Sequence, residues 1–111
     1  MKKLLTSLCV LSLVLAGCSQ NANEDVESDR ETLRVGMECN YAPFNWTDAE
    51  ANDTNVPLSS GGYCDGYDVA IAKRIAESLD MDLEVVKMEW DSLTKSINSN
   101  MIDLIIAGMR L

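Results

Sequence analysis

Apolar and polar positions fall into blocks that predict strands and helices from position 33 onward. Three short apolar runs have the composition of buried strands: "LRVGM" at 33–37, "LEVVKM" at 83–88 and "DLIIAG" at 103–108. Two segments with apolar residues at helical spacing separate them, "GYDVAIAKRIAESLD" and "WDSLTKSINSN". Asp68 is available as the N-cap of the first helix. The predicted order is strand, loop, helix, strand, helix, strand.

This order predicts an α/β fold with a parallel sheet, because strands joined by single helices form crossovers that cover the faces of the sheet. In such sheets, ligands bind beyond the carboxyl ends of the strands. Acidic, aromatic and glycine residues collect in the segments that follow the three strands, which are 38–41, 88–90 and 107–110. The polar stretch between Trp46 and Gly66 is predicted to be a loop. Phe44 and Trp46 are predicted to be core rings.

The first 20 residues have the pattern of an export signal. Two lysines precede an apolar run at 4–15, and small residues precede Cys18. Residues 1–17 are predicted to be a signal peptide rather than a retained membrane helix, which needs about 20 apolar residues. The segment 18–32 is polar and acidic, which predicts a flexible tether because it buries too little apolar surface to offset its ordering entropy. The folded unit is then 33–111.

Charge and composition argue against several classes of protein. The chain has 9 Lys and Arg residues against 18 Asp and Glu residues, a formal charge of −9, which disfavours binding to nucleic acid. It contains no histidine, so the commonest general base and the usual zinc ligand are missing. An enzymatic function is therefore disfavoured, and neither a cofactor nor a metal site is predicted.

Cys39 and Cys64 are the two cysteines that remain besides Cys18 once the signal peptide is removed. The 24 residues between them exclude a C-x-x-C metal or redox motif. An exported protein can form a disulfide, and a loop of this size would add about 3 kcal/mol of stability. Two free, half-buried thiols are the alternative.

Three stretches together resemble the family 3 extracellular solute-binding proteins, the lipoprotein receptors of ABC transporters for polar amino acids. The stretches are "LRVGMECNYAPFNW", "GGYCDGYDVAIAKRIAESLDMDLEVV" and "EWDSLTKSINSNMIDLIIAGM". The resemblance implies a type II periplasmic-binding-protein-like fold, in which two α/β lobes close around a free amino acid. Residues 33–111 would form the first half of lobe 1. The implied partners are an amino acid and a membrane permease.

The tetrad Leu15-Ala16-Gly17-Cys18 resembles the lipobox of bacterial lipoproteins, in which the cysteine sulfur receives a diacylglyceryl group. This resemblance implies that Cys18 is lipidated. Buried acyl chains would then anchor the protein on the extracytoplasmic face of a bacterial membrane. An ordinary cleavage site beside an unrelated cysteine is the alternative.

The resemblance also implies roles for five residues after the strands. Glu38 would reach the polar groups of the ligand, Tyr41 and Trp90 would pack against it, and the backbone of Ala107 and Gly108 would approach its ammonium and carboxylate. Each has a structural alternative: a solvated loop acid for Glu38, core-edge rings for the aromatic residues, and a turn glycine.

The chain departs from the family pattern at its end. The pattern continues with Ser or Thr and, several residues later, an arginine that pairs with the ligand carboxylate, whereas Arg110 falls too early for that role. We therefore expect a fragment that binds amino acids weakly or not at all alone, with residues 103–107 as an uncovered apolar sheet edge. The alternative functions are a surface lipoprotein for adhesion or signalling, and a dehydratase of cyclic acids on the same scaffold.

Overall fold

The computed structural model describes residues 29–109. The predicted signal peptide (1–17), the predicted lipidation site Cys18, most of the predicted tether and Arg110 lie outside the described residues. Within 29–109, no helix has the length and apolar character needed to cross a membrane.

Eight elements follow one another along the described chain. They are β1 (Thr32–Met37), β2 (Trp46–Asp48), β3 (Val56–Pro57), β4 (Tyr63–Asp65), α1 (Tyr67–Ser78), β5 (Asp82–Lys87), α2 (Trp90–Asn98) and β6 (Leu104–Ile105). The predicted alternation of strand and helix is present, and three short strands stand between β1 and α1.

The main sheet has three parallel strands in the order β5-β1-β6. β1 pairs with β5 over its whole length, ending with Met37 opposite Lys87. On its other side β1 pairs with β6, where Gly36 lies opposite Ile105. The predicted α/β fold with a parallel sheet is confirmed. The carboxyl ends of all three strands therefore meet at one edge of the sheet.

The core lies between the main sheet and the two helices. Its buried apolar residues are Leu33, Val35, Met37, Cys39, Leu58, Cys64, Val69, Ala72, Ala76, Val85, Leu93, Ile102 and Ala107. Gly36 shows how closely α2 and the following segment approach β1, because an added Cβ would lie 2.6 Å from Cδ1 of Ile102 and 3.0 Å from Cδ2 of Leu93. A side chain at position 36 would therefore displace core residues.

The stretch between Trp46 and Gly66, predicted to be a loop, contains a second sheet instead. Its strands β2, β4 and β3 pair antiparallel in that order, and we call this unit the inserted sheet (residues 46–65). Each strand has only two or three residues. Such strands are too short to show the alternation of apolar and polar positions by which a sequence predicts a strand.

The prediction that Asp68 is the N-cap of the first helix is wrong. Gly66 occupies the N-cap position, and no side chain caps α1. The first amides of α1 are instead bonded by a neighbouring loop: the N–H of Tyr67 donates to the carbonyl of Pro43 at 3.3 Å, and the N–H of Asp68 donates to that of Phe44 at 2.8 Å. Backbone carbonyls therefore satisfy the helix terminus, which frees the Asp68 carboxylate for another partner.

Phe44 and Trp46 are half-buried and lie outside the core, contrary to the prediction. The ring of Phe44 packs on that of Tyr41, with centroids 5.2 Å apart, and the indole N–H of Trp46 donates to Asp48 at 3.0 Å. At the other end of the fold, β6 spans only Leu104–Ile105 and forms an edge of the main sheet in the described chain.

Candidate functional site

A cavity of about 450 Å³ opens at the edge where the three parallel strands end. Its lining residues are Glu38, Tyr41, Trp90, Ala107, Gly108 and Met109. The parallel register explains this convergence, because residues that follow β1, β5 and β6 must emerge at the same edge. The structure thus brings all five residues of the predicted site into one cavity, and adds Met109.

Glu38 is the only charged residue among the described residues that line this cavity. Its side chain is half-buried. No other described residue forms a hydrogen bond or an ion pair with it. A carboxylate that has lost part of its water without gaining an internal partner is costly, and a cationic or hydrogen-bonding ligand would remove that cost.

Two aromatic side chains expose much of their surface beside Glu38. Tyr41 is 47% exposed and Trp90 is 48% exposed. Gly108 approaches the ring of Tyr41 so closely that an added Cβ would lie 2.8 Å from its Cδ1 atom, and its φ is +66°. Glycine is therefore required at position 108 for both reasons. The result is a cavity with two aromatic walls, which residues 107–109 complete.

A buried polar pair holds the loop that carries Tyr41. Asn45 is 0% exposed, its Nδ2 donates to the carboxylate of Asp68 at 2.9 Å, and its Oδ1 accepts from the N–H of Asn40 at 3.1 Å. The Asn45 carbonyl also accepts from the N–H of Tyr41 at 2.6 Å. Sequence reasoning missed Asn45. A polar residue between two aromatic ones, Phe44 and Trp46, was the available signal.

A disulfide joins Cys39 to Cys64, with the two Cα atoms 5.7 Å apart. Both cysteines are buried. Cys39 lies between Glu38 and Tyr41, while Cys64 lies in β4 of the inserted sheet. Of the two states that the sequence left open, the structure contains the disulfide. It fixes the start of the Tyr41 loop, and Asn45 fixes the end.

In residues 29–109, no three His, Cys, Asp or Glu side chains are placed to hold a metal ion together. Arg110 and Cys18 lie outside the described residues. The cavity therefore offers, from the described chain, one carboxylate, two rings and backbone groups. These groups can bind and orient a small polar molecule.

The parallel sheet and the cavity at its carboxyl edge define the class of protein: an α/β domain of the type II periplasmic-binding-protein fold. Residues 33–111 match the family described as bacterial extracellular solute-binding proteins, family 3. The chain belongs to this family.

Curated relatives include both binding proteins and an enzyme. The chain is 30% identical over 106 residues to the arginine-binding extracellular protein ArtP of Bacillus subtilis, covering 96% of this chain and 36% of the relative. It is 31% identical over 108 residues to a probable amino-acid ABC transporter-binding protein of Haemophilus influenzae, with 95% and 38% covered. It is 32% identical over 113 residues to a cyclohexadienyl dehydratase of Pseudomonas aeruginosa, with 99% and 38% covered. The chain thus spans little more than a third of each relative.

Solved structures show the same fold. The arginine-bound form of domain 1 from TmArgBP superposes with a TM-score of 0.59 at 34% identity, over 72% of this chain and 55% of that one. The L-cystine solute receptor of Neisseria gonorrhoeae, in its unliganded open conformation, gives a TM-score of 0.56 at 27% identity, over 73% and 30%.

Proposed function

We propose that this chain captures polar amino acids, with a preference for cationic ones, for an ABC importer at the outer face of a bacterial membrane. The observation that carries the proposal is the half-buried Glu38 carboxylate, which has no partner among the described residues and stands in a cavity walled by two exposed rings. The chemistry is binding, with no covalent step and no cofactor.

The cavity suits the two ends of a cationic amino acid. The side-chain ammonium or guanidinium would donate to Glu38, which is a charge-assisted hydrogen bond. The rings of Tyr41 and Trp90 would cover the aliphatic part and attract the cation through their faces. The backbone of Ala107 and Gly108 would meet the α-ammonium and α-carboxylate. The naming of two similar proteins as arginine-binding supports this assignment.

We propose that Cys18 carries the lipid that keeps the protein at the membrane, where a permease receives the ligand. The support is the sequence Leu15 to Cys18 and its polar, acidic continuation. The naming of the family and of one relative as extracellular agrees with this location.

We expect the described lobe to bind weakly by itself. Tyr41 and Trp90 keep about half of their surface exposed, so a ligand held by these residues alone stays in contact with water. Water competes for Glu38 and screens its charge. Millimolar affinity is therefore the expectation, with tighter binding once a second lobe closes the cavity.

A dehydratase is the second candidate, because one relative at 32% identity bears that name. Glu38 would then act as a general acid toward a cyclic substrate. No histidine is present anywhere in the chain to assist it. The two candidates separate in one assay, since a binding protein holds its ligand unchanged and an enzyme converts it.

Calorimetric titration of the purified chain with L-arginine, L-lysine and L-glutamate tests the proposal. We expect the two cationic amino acids to bind and L-glutamate not to. Glu38→Gln should weaken L-arginine binding about tenfold or more, because the amide oxygen still accepts a hydrogen bond but the attraction of the carboxylate charge is lost. Glu84→Gln removes an exposed carboxylate of β5 outside the cavity and should have no effect.

Three results would contradict this function. One is absence of binding at tens of millimolar ligand, and another is equal affinity in Glu38→Gln and the unmodified chain. The third is conversion of a prephenate-like cyclic acid by the chain, which would favour the dehydratase.

A further inference from the structure

A second, larger cavity of about 910 Å³ adjoins the first, and Glu38 lines both. It runs from the loop after β1 to the inserted sheet and to the segment between β5 and α2. None of the five predicted site residues other than Glu38 lines it. Because Glu38 lines both cavities, its carboxylate can contact a ligand that extends from one cavity into the other.

Lys87 supplies the larger cavity with an ammonium, the single cation among the described residues that line it. Its Nζ donates to the hydroxyl of Thr47 at 2.9 Å, and that hydroxyl donates to the carbonyl of Cys39 at 2.8 Å. These two bonds tie the ammonium to the cavity wall. A lysine ammonium has three N–H donors, so further donors stay available for an acceptor in the cavity.

Two carboxylates face the same space. Glu38 has no internal partner, as described above. Glu89 occupies the N-cap position of α2, yet its side chain makes no capping hydrogen bond, and no other described residue pairs with it. The indole of Trp46 adds an apolar surface to the lining. One tethered ammonium and two unpaired carboxylates are together complementary to a zwitterion.

We propose that the larger cavity is a second subsite, which binds the distal head group of a diamino dicarboxylate, an amino acid with an ammonium and a carboxylate at each end. The inference rests on the proposed function, since the proximal head group would occupy the smaller cavity at Ala107 and Gly108. The distal ammonium lies between Glu38 and Glu89, and the distal carboxylate accepts from Lys87. A ligand of this class spans both cavities past Glu38.

Two ligands that differ by one carboxylate test the proposal. LL-diaminopimelate carries a distal carboxylate beside its distal ammonium, whereas L-lysine is the same chain without that carboxylate. We expect diaminopimelate to bind the purified full chain about three- to fivefold more tightly, the size of a partly exposed ion pair. Equal or weaker binding of diaminopimelate, with L-lysine still bound, overturns the second subsite and leaves the proposed function standing. If neither diaminopimelate nor L-lysine binds, the second subsite and the proposed function are both overturned.

The two tryptophans report on the cavities separately, because Trp90 lines the smaller one and Trp46 the larger one. Each gives one indole N–H resonance in a ¹⁵N-labelled chain, and Trp46→Phe assigns them. We expect L-lysine to shift chiefly the Trp90 resonance and diaminopimelate to shift both. A Trp46 resonance that responds equally to the two ligands contradicts the proposal.

A variant at Lys87 tests whether its ammonium binds the distal carboxylate. Lys87→Met removes the ammonium and keeps the length of the side chain, so the affinity ratio of diaminopimelate to L-lysine should fall to about one. The matched control is Lys95→Met, which removes an exposed lysine of α2 that lines neither cavity. If the affinity ratio of diaminopimelate to L-lysine is the same in Lys87→Met, in Lys95→Met and in the unmodified chain, Lys87 does not bind the distal carboxylate.

Discussion

The edge of the main sheet where β1, β5 and β6 end, which we call the strand-tip edge, differs from the inserted sheet in how its acidic side chains are hydrogen-bonded. In the inserted sheet, Asp65 accepts hydrogen bonds from the Gly66 N–H at 2.8 Å, the Thr54 hydroxyl at 2.8 Å and the Asn52 amide at 3.3 Å. At the strand tips, Glu38 forms no such bond with any described residue. Both are acidic side chains that are at least half-buried. The difference shows that a buried acid with internal partners supports the fold, and one without them is available to a ligand.

The three hydrogen bonds to Asp65 also lower the pKa of its carboxyl group. Burial alone would raise it, but the hydrogen bonds from Gly66, Thr54 and Asn52 and the charge of Lys73 together hold the pKa below its ordinary value of 3.8. The ammonium of Lys73 also donates to the carbonyl of Thr54, which binds α1 to the inserted sheet. The inserted sheet thus compensates for its short strands with side-chain hydrogen bonds.

Removing the disulfide between the two regions should have the largest effect. The Cys39→Ser, Cys64→Ser double variant loses a link that closes a loop across a sequence separation of 25 residues. We expect the free energy of unfolding in urea to fall by about 3 kcal/mol. Hydrogen exchange should accelerate more in β2–β4 than in β1 and β5, because the inserted sheet has less buried backbone to hold it.

Reductant provides the control for this variant. It should destabilise the unmodified chain and leave the double variant unchanged. Alkylation followed by mass spectrometry gives an independent check, since Cys39 and Cys64 should react only after reduction. Reaction of both without reductant would show free thiols and remove the link between the regions.

Exchanging one carboxylate for an amide in each region tests the comparison directly. Asp65→Asn puts an N–H₂ donor where three other donors converge, so we expect a loss of about 2 kcal/mol in the free energy of unfolding. Glu38→Gln disturbs no internal hydrogen bond and should change stability by less than about 0.5 kcal/mol. Urea unfolding of the two variants gives both numbers. Equal losses would mean that Glu38 has a structural partner after all.

The sequence predicted the strand-tip edge well because that edge follows from long-range regularities. Three mainly apolar runs of five or six residues and two helices of clear periodicity determine which loops converge, and so Glu38, Trp90 and Gly108 lie in one cavity. The register of β1 with β5 and β6 then follows from burial of each strand face. The strand pattern indicated only the segments 38–41, 88–90 and 107–110, and the family resemblance indicated the individual residues within them.

The inserted sheet and the start of α1 could not be predicted in the same way. Strands of two or three residues carry no periodic signal, and their stability depends on hydrogen bonds among side chains such as those of Asn52 and Asp65, distant in sequence. The N-cap prediction for Asp68 failed because the competing acceptors, the carbonyls of Pro43 and Phe44, come from a loop more than 20 residues earlier in the chain. Tertiary contacts decided these features.

The smallest expected effect on stability concerns an ion pair at the amino ends of the parallel strands, opposite the strand-tip edge. Arg34 in β1 and Asp103 before β6 approach to 3.3 Å, and the backbone N–H of Arg34 donates to the same carboxylate at 2.8 Å. The backbone and side-chain hydrogen bonds from Arg34 hold the pKa of Asp103 below its ordinary value of 3.8, against a smaller opposing effect of burial. Like Asp65, and unlike Glu38, Asp103 is an acid with internal partners.

Since the pKa of Asp103 is lower in the folded chain than in the unfolded chain, its ionised form stabilises the fold at pH values above about 3.8, and this contribution disappears as the pH falls through the lowered value. Arg34→Met removes the guanidinium and keeps the backbone bond. Because both side chains are more than a third exposed, the loss in free energy of unfolding near pH 7 should stay below about 1 kcal/mol. In urea unfolding the difference between Arg34→Met and the unmodified chain should be constant from pH 7 to 5 and shrink below pH 4, while Lys95→Met shows no such trend. A difference that persists undiminished at the lowest pH where both chains fold would assign the effect of Arg34 to its hydrogen bond with the Asn100 carbonyl, at 2.8 Å, or to packing of its aliphatic stem, rather than to the ion pair with Asp103.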